Sequence, residues 1–222
     1  MEKLLKIPYN VFNDWNQLQQ FLERRGNPRY EIVGNVDLSE QDDIFDLGNL
    51  VNVDGNLNLS DSHIKSLGSL KYVNGNLLLY NTKIEFLTNL EYVVGDLILY
   101  NSPIVSLGNL TQVVGYLHLE ATPIKSLGNL EYVGNNLYLG GTPIQSLGNL
   151  VRVNGNLALS NTPIQSLGNL EYVGGFLDLG PTLIKSLGNL KYVGDVIMLL
   201  YDTEIPEEQL TKFNVKYEWT PF

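Results

Sequence analysis

Not one of the 222 residues is cysteine, so no disulfide can brace the chain and no Cys-based zinc or redox centre can form. A chain of this length can instead rest on one buried apolar core and needs no second domain. Reducing compartments favour the same absence, and the expectation is a cytoplasmic protein. Charge is scarce too: Asp, Glu, Lys and Arg make up 17% of residues and sum to −10. With 14 basic residues against 24 acidic ones, little is available to displace counterions from phosphates, which argues against a nucleic-acid partner. No apolar run approaches the roughly 20 residues that cross a bilayer, so no membrane partner is expected. The opening MEKLLKIPYNVFNDW lacks the apolar segment and small-residue cleavage site of a secretory signal. Histidine occurs only as His63 and His118, and no GxxxxGK[ST], GxSxG or HExxH motif is present. The expectation is therefore a protein that is not an enzyme, with no metal and no cofactor. Asn58 and Asn109 head Asn-x-Ser/Thr triplets, but both fall inside a repeating pattern rich in Asn and read as chance.

That pattern dominates the chain. The unit LGNLEYVGGNLYLxxTPIxS recurs every 20 residues without insertion or deletion, its first leucine at Leu47, Leu67, Leu87, Leu107, Leu127, Leu147, Leu167 and Leu187. Further apolar columns begin at Leu50, Val53, Leu57, Leu59 and Ile44. Segments such as Leu157-Ala158-Leu159 alternate apolar and variable, the period of a strand with one buried face. Stacked in register, such strands form a parallel sheet along a solenoid, and eight coils at ~4.8 Å each extend ~40 Å. No stretch has helical period over 10–12 residues, and Pro103, Pro123, Pro143 and Pro163 discourage one, so the return side reads as extended or 3₁₀-like. The Asn column from Asn49 reads as a buried ladder bonding to backbone groups, and the Ser/Thr columns from Ser62 and Ser66 as doing likewise. The glycines from Gly55 read as positive φ, a bulge or close backbone approach.

The pattern L-x-x-V-x-G-x-L-x-L-x-x-T-x-I-x-S resembles the leucine-rich-repeat superfamily, and its V-x-G-x-L-x-L segment is most similar to receptor L-domain-like bacterial and viral repeats. The resemblance implies a mainly β, right-handed leucine-rich-repeat solenoid with a parallel sheet. Such scaffolds bind proteins, peptides, glycans and lipids, so the resemblance leaves the ligand open. The missing disulfides and the near-identity of the coils depart from the receptor group.

Both ends of a solenoid need covering. Residues 1–29 read as an N-terminal helical cap, with Asn13 as N-cap and Trp15, Leu18, Phe21 and Leu22 on one face before Gly26 and Pro28. The solenoid spans 30–200, with a divergent first coil over 30–46 and eight repeats from 47. Residues 201–222 read as a C-terminal cap, with a short helix at Ile205 to Leu210 and a strand from Phe213 to Trp219.

Where the scaffold is fixed, information sits in the variable columns. Leu78, Tyr80, Ile98, Tyr100, Tyr116, His118, Glu120 and Tyr138 fall on the outward face of adjacent strands, a candidate protein-binding patch. Same-face pairing that merely stabilises the sheet is the alternative. A second column, Tyr72, Tyr92, Tyr132, Tyr172 and Tyr192, belongs to the repeat consensus and reads as packing. The leading expectation is a non-catalytic interaction module whose partner is another protein. The alternatives are a structural component of a larger particle, self-associating through its caps, and an acidic decoy of a DNA-binding protein. The carboxylates form no regular column at phosphate-like spacing, which ranks the decoy last.

Overall fold

The computed structural model describes residues 4–12, 14–200 and 203–218. It is a parallel β-solenoid of about nine turns, and its strands form two sheets where one was expected. Among the described residues the first sheet has ten strands, running from Leu5–Pro8 through Tyr30–Val33, Leu50–Asp54 and Tyr72–Val73 to Tyr192–Val193. The second has ten as well, from Val36–Asp37 through Leu57–Asn58 and Leu77–Leu78 to Ile197–Leu200 and Val215–Glu218. Every pairing is parallel, and along most of the solenoid partners stand 20 residues apart, as in Leu117↔Leu137 and Val113↔Val133. Single bridges such as Asp46↔Ser66 and Ser126↔Ser146 link the third side of the coils.

The repeat columns explain the section of each coil. Leu47, Leu50, Val53, Leu57, Leu59 and Ile64, with nearly all their equivalents, are buried and form one continuous core. A lone coil cannot bury those side chains; stacked neighbours can. Ser62 and its equivalents through Thr162 are buried, and their hydroxyls donate to the carbonyl three residues back, as Ser62 Oγ does to Leu59 O at 2.6 Å. Ser66 and its equivalents instead accept from the glycine two residues on, as Ser106 Oγ does from the Gly108 N–H at 3.1 Å.

One detail differs from the sequence-based expectation, and a second decides between alternatives it left open. The Asn49 column is exposed rather than buried; its amides reach back one coil, as Asn89 Nδ2 does to Gly68 O at 2.8 Å. The glycines from Gly75 to Gly175 mark close approach and not positive φ: a Cβ on Gly155 would lie 2.2 Å from Asn136 Oδ1 and 2.7 Å from the Asn135 carbonyl carbon.

At the N-terminal end, Leu5–Pro8 adds a strand to the first sheet, a feature the sequence reading did not anticipate. The helix Trp15–Glu23 sends Trp15, Leu18 and Leu22 into the solenoid core, while Phe21 is half-buried against Phe12. Asp14 supplies the N-cap, its carboxylate accepting from the Gln17 N–H at 2.8 Å; Asn13 lies outside the described residues. At the other end, the short helix Glu207–Leu210 follows Pro206. There the Gln209 carbonyl accepts from the Leu187 N–H at 2.9 Å, and Lys212 Nζ donates to Leu190 O at 3.0 Å. Trp219 also lies outside the described residues. Among the described residues no helix is long and apolar enough to cross a membrane.

Candidate binding face on the second sheet

Strand alternation builds the face. In Leu117-His118-Leu119-Glu120 the leucines are fully buried, which leaves His118 and Glu120 on the outer side. Parallel register then sets Leu78, Ile98, His118 and Tyr138 side by side. All eight residues singled out from the sequence stand on this face within four consecutive coils, half-buried except for the exposed Tyr116.

Their rings make a ladder along the solenoid axis. Tyr80 and Tyr100 stack at 5.0 Å between centroids with planes 3° apart. His118 lies 5.3 Å from both Tyr100 and Tyr138, and Tyr138 stacks on Tyr116 at 6.5 Å. Aromatic pairs at such separations add about 0.5–1.5 kcal/mol each beyond the area they bury. His118 Nε2 and Glu120 Oε2 are 2.6 Å apart, and Asn136 Nδ2 donates to the Tyr138 hydroxyl at 2.7 Å.

A second ladder, which the sequence reading missed, lies at the bend entering each strand. Side-chain oxygens of Asn35, Asn56, Asn76 and Asp96 accept from the backbone N–H one coil on, at 2.8–2.9 Å. Asn136 and Asn156 continue the series, with Asn156 Oδ1 accepting from the Phe176 N–H at 3.0 Å. Recurrence of Asx at 20-residue spacing was the available signal. Two aromatic residues interrupt it: Tyr116 and Phe176 occupy ladder positions and offer no acceptor to the next coil. An N–H left without this acceptor forgoes a net bond worth about 1 kcal/mol, so these rings are placed against the fold's own preference.

The first sheet presents different chemistry. Its tyrosine column faces outward, with Tyr72 and Tyr192 exposed, so it packs outside the core. Tyr172 stacks on Tyr192 at 4.7 Å, and the Arg152 guanidinium sits 3.6 Å from the Tyr172 ring centre. Some charges there are paired: Lys71 and Tyr72 both bond to Glu91, and Lys191 bonds to Glu171 at 2.7 Å. Hydrogen bonds from Lys71 and then Tyr72 hold the Glu91 carboxyl below the ordinary carboxylate range.

Clefts occur on other parts of the surface. One of about 500 Å³ is lined by Thr162, Gln165, Leu183, Lys185 and Glu204, and another of about 720 Å³ by Phe45, His63, Lys83 and Phe86. Among the described residues no group of three or more His, Cys, Asp or Glu side chains is placed to hold a metal ion. No protein-family model and no curated protein sequence matches this chain.

Proposed function

We propose that the chain is a non-catalytic protein-interaction module whose docking surface is the outward face of the second sheet, from Leu78 and Tyr80 to Tyr138. The observation that carries this reading is Tyr116. Its position suits an Asx acceptor, yet it holds an exposed ring that extends a ladder of four others. Residues that break a local rule at structural expense are where function is expected. Rigid, amphipathic tyrosine is also the side chain that gives contact area with little loss of conformational freedom.

Affinity capture from the native cell tests it. Tyr80→Ser with Tyr100→Ser should lose the captured partner, while Tyr172→Ser with Tyr192→Ser on the first sheet should retain it. Equal capture by all three proteins would remove the assignment.

We read the scaffold as leucine-rich-repeat in type and right-handed, with residues 1–29 and 201–222 as its caps and a cytoplasmic setting. The 20-residue columns, the burial of Trp15, Leu18 and Leu22, and the lack of cysteine support that. A second reading, assembly of copies end to end, is favoured by one feature: among the described residues the first sheet has no strand beyond Tyr192–Val193. Light scattering separates the two, since a stable monomer counts against assembly.

A further inference from the structure

We infer that the segment docking on the second sheet is cationic: an extended stretch bearing lysine or arginine, laid along the solenoid axis between Asp96 and Asp178. This rests on the reading of that face as the docking surface and names the chemistry of its partner.

The argument is the charge on the face. From Val36–Asp37 to Ile197–Leu200, the outward positions of the second sheet and its entering bends carry Asp37, Asp96, Glu120 and Asp178, and no lysine or arginine. Lys216, in the terminal strand Val215–Glu218, is the first base on that sheet. Elsewhere in the solenoid carboxylates stand among lysines and arginines, and some pair, as in Lys71–Glu91 and Lys191–Glu171. None of the four carboxylates on the second sheet is in an ion pair with lysine or arginine among the described residues. Each spends one oxygen inside the fold: Asp96 on the Tyr116 N–H, Asp178 on the Gly180 N–H, Glu120 on His118 and Asp37 on Ser39. The other oxygen is left for an incoming donor.

The spacing suits an extended chain. Asp96, at the bend into Leu97–Ile98, and Asp178, in Leu177–Asp178, lie on coils four steps apart, ~19 Å along the axis at the usual ~4.8 Å between strands. About six extended residues cover that distance. On the way the chain passes the rings of Tyr116 and Tyr138, whose π faces attract ammonium and guanidinium groups. Beyond Tyr138 small residues, Gly140, Ala158, Ser160 and Gly180, alternate with Asn156, Phe176 and Asp178, so there is room for a long side chain beside the Phe176 ring. A neutral peptide and a second copy of this acidic chain are the other occupants to be distinguished.

Titration of the purified full chain at low salt with a blocked octapeptide of alternating lysine and serine tests this, against the matching glutamate–serine and glycine–serine peptides. Only the lysine peptide should bind. Glu120→Gln with Asp178→Asn should weaken it at least tenfold, whereas Glu85→Gln with Glu131→Gln, the same change in net charge on other faces, should leave it within twofold. Equal weakening by the two pairs, equal binding of the glycine–serine peptide, or no binding would overturn the inference. Failure of the docking face itself looks different: capture of the partner would then survive Tyr80→Ser with Tyr100→Ser. If those tyrosine changes abolish capture and Glu120→Gln with Asp178→Asn does not alter it, the face stands and the cationic partner falls.

Discussion

Phe176 and Tyr116 interrupt the Asx ladder at the bend into the second sheet, and restoring the ladder there should stabilise the fold. The clean comparison is Phe176→Asn against Phe176→Ala. Both variants lose the same half-buried ring, which stacks on no other ring among the described residues, so that loss cancels. Only asparagine offers an oxygen to the Val196 N–H, in the geometry by which Asn156 serves the Phe176 N–H at 3.0 Å. A net hydrogen bond is worth about 1 kcal/mol, so the Asn variant should be more stable than the Ala variant by about that amount. For a chain of this size that is a Tm gap of roughly 2–4 °C, readable by calorimetry or denaturant titration. Tyr116→Asn against Tyr116→Ala should show the same gap through the Asn136 N–H, and both should lose partner affinity, because the ring is gone. Conversely, Asn136→Ala should cost about 1 kcal/mol by stripping the Asn156 N–H of its acceptor. If Asn and Ala prove equal at position 176, the ladder contributes nothing and the argument that Tyr116 is placed against the fold's preference collapses.

Ala121 is held at φ +55° in a column where Asn81, Asn101 and Asn161 adopt the same left-handed conformation. Ala121→Asn should raise stability by about 1 kcal/mol in a melting experiment, because Asn tolerates that conformation and its amide would donate to Asn101 Oδ1 as Asn101 Nδ2 donates to Asn81 Oδ1. Gly155→Ala should destabilise far more than Gly128→Ala, by about 3 kcal/mol against about 1, in urea titrations. The first drives a Cβ to 2.7 Å from backbone, whereas the second meets open space and pays only for φ +58°. Burial pushes the Tyr30 hydroxyl up to about 12 from 10.0. A raised pKa gives stability that is complete below the unfolded value and lost as pH rises through the folded one, so the chain should weaken between pH 10 and about 12. Tyr30→Phe should flatten that part of the alkaline profile in denaturant melts at successive pH values.

The core was legible because six apolar columns hold one register, and Leu57-x-Leu59 carries the alternation of a strand. The first sheet was not. Its strands within the repeats are mostly two residues long, and the spacing of Leu50 to Val53 is three, so no period of two announces them. The asparagines show the same limit from another side. A conserved-looking column such as Asn49 signals hydrogen bonding but not burial, and these side chains proved to bridge coils from the surface. The ring ladder was legible as a face, since alternation alone puts Tyr80, Tyr100, His118 and Tyr138 outside. The Asx ladder was hidden because Asn56 and its equivalents looked like ordinary outward residues until the coil-to-coil distance was known. Likewise, the lack of lysine and arginine on the second sheet before Lys216 acquires meaning only when each residue has been assigned to a side of the coil.

Hydroxyl-radical footprinting of the free chain and of its complex reads the docking face directly, because exposed tyrosine rings on both sheets are oxidised in proportion to their access. Protection of Tyr80, Tyr100, Tyr116 and Tyr138 on complex formation, with Tyr72, Tyr172 and Tyr192 unchanged, is the expected result. Protection of the first-sheet tyrosines alone, with Tyr116 and Tyr138 oxidised as before, would contradict it.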